Sequence, residues 1–94
     1  MALARVVEFD GVPADRIAQM KSEIDSGERP EGLPATEMIL LHDPENEKAL
    51  AVIFFENDDD YRRGDEILSA MPAGDTPGQR TSVSKYDVAL RATS

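Results

Sequence analysis

Ninety-four residues without a cysteine make one domain, 1–94, and leave no disulfide framework, thiol nucleophile or thiolate metal site. A formal net charge of −9 repels phosphate backbones and anionic lipid, so neither nucleic acid nor a membrane is an expected partner. The chain moves directly into a strand-like run and has no apolar stretch of bilayer length, so a cytoplasmic protein is the default expectation.

Leu3 to Phe9 (LARVVEF) reads as the first strand, since Val6, Val7 and Phe9 are strand formers and Asp10-Gly11 ends the run. Pro13 suits the first position of a helix. Ile17, Met20 and Ile24 then recur on one helical face, and Gly27 is a good stop. Glu28 to Pro34 is a loop by its two prolines and its glycine. Thr36 to His42 is the second strand and Lys48 to Glu56 the third. The segment between them starts Asp43-Pro44, which favours a type I turn, and a short loop of this kind joins antiparallel neighbours.

Asn57 is a competent N-cap for a second helix, with Asp58, Asp59 and Asp60 where the helix dipole favours negative charge. Tyr61, Gly64, Ile67, Leu68 and Met71 carry its apolar face. Gly64 in mid-helix costs about 1 kcal/mol relative to alanine, which a close helix–sheet contact would explain. Pro72 follows, and Ala73 to Gln79 is a loop containing a connector or lid at Asp75 to Gly78. Thr81 to Leu90 is the fourth strand, with Tyr86, Val88 and Leu90 on one side and Val83, Lys85, Asp87 and Ala89 on the other.

Strand, helix, strand, strand, helix, strand is the split βαβ order of ferredoxin-like α+β domains. Right-handed crossovers then give a four-stranded antiparallel sheet with both helices on one face. Two helices cover only that face, yet Met38 to Leu41 and Leu50 to Phe55 are unbroken apolar runs. One face would carry Met38, Leu40, Leu50, Val52 and Phe54, the other Ile39, Leu41, Ala51, Ile53 and Phe55. Whichever set the helices leave bare exposes on the order of 500 Å², at or above the largest patch a monomer usually shows. Burying it at roughly 25 cal/mol per Å² yields on the order of 10 kcal/mol per protomer before association costs. The expected cover is a second copy, sheet against sheet about a two-fold axis. A different protein or a larger ligand are the alternatives.

The apolar hairpin ILLHDPENEKALAVIFFE, the acidic helix start NDDDYRRGDEIL and the last strand SVSKYDVAL resemble those of the dimeric α+β barrel superfamily. Within it, the chain is most similar to the small antibiotic-biosynthesis-monooxygenase-like domains, in pattern and length, over Arg5 to Arg91. The resemblance implies a dimeric α+β barrel: two sheets closing across a homodimer, helices outside, and a pocket for a small organic molecule. Members include cofactor-free oxygenases of polyketide aromatics, haem-degrading enzymes, lactone isomerases and domains with no known reaction. Those oxygenases share an Asn, a Trp and a polar or His residue around the pocket. This chain has no Trp, one histidine (His42), and asparagines only at Asn46 and Asn57, in a turn and at a helix cap. None of the family's catalytic residues is therefore carried over. The expected function is binding of a small apolar ligand, with a cofactor-independent monooxygenase or isomerase step as its catalytic form. The alternative is a non-catalytic dimerisation or ligand-sensing module.

His42 is the one side chain whose ordinary pKa lies near neutrality, and it is the candidate proton carrier, with Asp43, Glu37 or Tyr86 as orienting partners. Its plainer role is to mark the boundary of strand and turn. Tyr61 and Tyr86 are candidate hydrogen-bond donors to a ligand oxygen; more often such rings are buried with the hydroxyl at the rim. Arg5 and Arg91, placed on edge-like strands, could hold a carboxylate, although pairing with local acids is the simpler use. Asp58 to Asp60 is not a calcium loop, because Arg63 and Ser69 fall where a Gly and a Glu are required. No metal or other cofactor is expected.

Overall fold

The computed structural model describes residues 2–27, 32–71 and 77–92. Its strands are β1 (Leu3–Asp10), β2 (Glu37–Asp43), β3 (Lys48–Phe55) and β4 (Gln79–Asp87). Its helices are α1 (Ala14–Asp25), between β1 and β2, and α2 (Asp58–Ser69), between β3 and β4. All neighbouring strands are antiparallel, in the spatial order β2-β3-β1-β4. The architecture is α+β, and both helices lie on one side of the sheet, called the front. Ile17 of α1 packs on Val7, Phe9, Val12 and Ala49. From α2, Gly64 abuts Phe55 and Asp65 meets Arg5. All these sheet residues share one face by register.

The two helices are anchored differently. Asn57 caps α2, its Oδ1 accepting from the Asp60 N–H at 2.8 Å. Pro13 precedes α1 with no side-chain cap, and α1 contains no buried residue. The core is accordingly built mostly by the sheet's front and α2. Leu3, Val7, Phe9, Ala49, Ile53 and Phe55 are buried on it, and Val12 seals one end from the β1–α1 loop.

The hairpin register corrects the expected division of the faces. Asp43 pairs with Lys48 across a four-residue loop, so even-numbered residues of β2 lie opposite odd-numbered residues of β3. Met38, Leu40 and His42 therefore share the front with Ala49, Ala51, Ile53 and Phe55, while Ile39 and Leu41 share the back with Leu50, Val52 and Phe54. The loop sets this parity through its own bonds. Asp43 accepts from the Asn46 side chain at 2.8 Å, and Glu47 adopts a left-handed φ of 52°. These bonds hold the Asp43 carboxyl below the ordinary aspartate range, the Asn46 side-chain bond first.

The fourth strand also differs from the expected Thr81 to Leu90. β1 begins at Leu3, whose partner is Asp87, so the sheet offers no further strand to pair with. Instead the Val88 N–H donates to the Ala2 carbonyl at 3.0 Å, and the chain turns beneath the back face. There Arg91 stacks 4.5 Å from the Phe54 ring centroid and pairs with Glu37 at 3.3 Å. Ala4 is buried although it is on the back. At its other end β4 starts earlier than expected, at Gln79, because a bulge opposite Glu8 and Phe9 absorbs one residue.

Candidate functional site

A cleft of about 730 Å³ lies between α1 and the front of the sheet. That volume is in the range of small-molecule sites. Val7, Ala51 and Ile53 from the central strands and Met38 and Leu40 from β2 form one wall. Ile17, Met20 and Ile24 form the other, so the apolar stripe read from the sequence of α1 touches the core only through Ile17 and otherwise borders this space. Leu68 and Met71, at the end of α2, also line it.

One cation in this lining is deeply buried. Arg5 is 3 % exposed on β1, which is a central strand and not the edge expected for it. A buried charge is costly unless it is paired and hydrogen-bonded. Arg5 Nε donates to Asp65 Oδ1 at 2.9 Å and Nη2 to Ser69 Oγ at 3.4 Å, both from α2. The sequence signal is a lone arginine within Ala4-Arg5-Val6-Val7, a run otherwise suited to a buried strand. The other arginine named with it, Arg91, lies in the tail against Glu37 and Phe54.

His42 lies at the far end of β2, beside a smaller recess of about 390 Å³ shared with Glu8, Asp10, Asp43 and Lys48. Its Nε2 donates to the Val12 carbonyl at 2.8 Å. A carbonyl oxygen only accepts, so Nε2 carries the proton of this bond. Tyr61 lies on α2 at the opposite end of the front, its ring edge-on to Phe55 with centroids 5.5 Å apart and Lys85 Nζ 4.9 Å above it. Burial first, and the Asp65 carboxylate second, push its phenol above the ordinary tyrosine value. Tyr86 is on the back face, paired with Ala4, and more than half exposed. The structure thus does not bring His42, Tyr61 and Tyr86 together, and Glu37 and Tyr86 are on the face opposite His42.

Among the described residues, no group of three or more His, Asp or Glu side chains is placed to hold a metal ion. No helix among them is long and apolar enough to cross a membrane. The chain matches no protein-family model, and no curated protein matches it in sequence.

Proposed function

We propose that the chain is one protomer of a homodimeric, ferredoxin-like protein of the dimeric α+β barrel type. It binds a small, mainly apolar organic molecule between α1 and the sheet. The observation that carries this reading is α1 itself. A helix with an apolar stripe but no buried residue has not filled the space beneath it, and that space is the 730 Å³ cleft. The dimer is supported by the back face, where Ile39 is 38 % and Leu41 52 % exposed beside Val52 and Leu50. Among the described residues the tail meets that face at Phe54 and Glu37.

A ligand-binding or sensing module is favoured over a cofactor-independent oxygenase or isomerase. The side chains suited to proton transfer and hydrogen-bond donation lie apart, and the ring of His42 is tied to a backbone carbonyl. A thermal-shift screen of apolar aromatic and aliphatic compounds tests the cleft. A true ligand raises the melting temperature by several degrees at saturating concentration. Ala51→Phe, which fills the cleft from β3, abolishes that shift while the chain stays folded. His42→Ala leaves binding intact; loss of a ligand-dependent turnover in that variant would restore the catalytic reading. Sedimentation at micromolar concentration gives a species of twice 10.3 kDa, and a monomer there would remove the dimer.

A further inference from the structure

We infer that the cleft takes a carboxylic acid, an apolar body with one anionic head held by Arg5. This deepens the binding role proposed for the cleft and rests on it. Arg5 is the deeply buried charge of a lining whose sheet side is mostly apolar, with Val7, Phe9, Met38, Ala51 and Ile53. Its guanidinium is a planar fork with five N–H donors, shaped to meet a carboxylate with two parallel bonds. Asp65 takes Nε with one oxygen, and Ser69 takes Nη2 at the long distance of 3.4 Å. Among the described residues these two bonds leave the fork with donors for a second acceptor in the cleft that it lines. Asp65 itself is 45 % exposed, so its claim on Arg5 is screened by water.

Among the described residues Lys21 and Arg80 also line the cleft, with Glu23 and Glu37. A low-dielectric wall then makes the Arg5–carboxylate contact stronger than the same contact in water.

The competing account is that Arg5 only ties β1 to α2. Two fluorescent probes that share one ring system and chain length separate the two, 1-pyrenebutyrate and 1-pyrenebutanol. The natural chain should bind the acid at least about tenfold more tightly than the alcohol, as a charge-assisted bond warrants. Arg5→Met should remove that preference and leave the alcohol's affinity nearly unchanged. Asp65→Asn should tighten the acid further, because the internal competitor for the fork is gone; a purely structural tie predicts no such gain. Arg5→Lys should keep part of the preference, since it retains charge without the fork. Circular dichroism reports whether each variant folds. If Arg5→Met does not, the acid-over-alcohol ratio of the natural chain and the Asp65→Asn result decide. Equal affinities for acid and alcohol in the natural chain, or an acid affinity that Asp65→Asn leaves unmoved, overturn the carboxylate assignment while the cleft stands. Binding of neither probe overturns the cleft as a ligand site as well.

Discussion

Gly64 stands in α2 directly against the ring of Phe55, which is fully buried. A methyl group there would overlap the ring. Alanine is the better helix former by about 1 kcal/mol, but forcing the helix off the sheet costs typically 1–3 kcal/mol. Gly64→Ala is therefore expected to destabilise the protein by about 1 kcal/mol, within roughly 0–2, read from the denaturant midpoint; a gain in stability would show that the helix can move freely. Beside it, Tyr61 offers a spectroscopic check of the same contact. Its folded pKa is raised, mainly by burial. The resulting stabilisation is fully present below the unfolded tyrosine value of about 10 and is lost as pH rises through the higher folded value. In a Tyr86→Phe background, absorbance at 295 nm should follow the remaining phenol titrating above pH 10, at a value that Phe55→Leu lowers.

At the scale of elements, the two helices divide the labour. α2 has a side-chain cap, Asp58 to Asp60 in its first turn and tight contacts with β1 and β3. α1 has neither a side-chain cap nor a buried residue. Amide hydrogen exchange should accordingly be much faster in α1 than in α2. Asn57→Ala should cost about 1 kcal/mol and speed exchange at Asp60 first. These elements were largely legible in the sequence: the Ile17-Met20-Ile24 stripe, the Asn57 cap and the six-element order all come from local periodicity and turn chemistry. The faces of the hairpin were not, because alternation within each strand says nothing of the parity between strands. That parity was decided by where Asp43 and Lys48 pair across the loop. The end of β4 was hidden for a similar reason, since Val88 and Leu90 continue a strand pattern after the neighbouring strand has run out.

For the whole molecule, the proposed assembly rests on the back face. Ile39, Leu41, Leu50 and Val52 lie together there by register. Ile39→Lys with Leu41→Lys places two charges on the expected interface without touching the core. The dissociation constant of the proposed dimer should rise by at least about a hundredfold, a few kcal/mol, while the far-ultraviolet spectrum is kept. Sedimentation equilibrium checks this; an unchanged mass would move the interface elsewhere. The site is also a property of the whole, because Arg5 comes from β1, Asp65 and Ser69 from α2 and the opposing wall from α1.

Local chemistry along the chain settled what the elements are and in what order they come. Side-chain periodicity, caps and turns act over a few residues and can be read without the fold. The chain's order of residues also announced an excess of apolar strand surface over helix, since that is a matter of counting. The tertiary structure alone decided which side chains share a face, that β1 is central and so buries Arg5, and that α1 stands over an open space. Those depend on pairings between residues distant in sequence, and no local pattern encodes them.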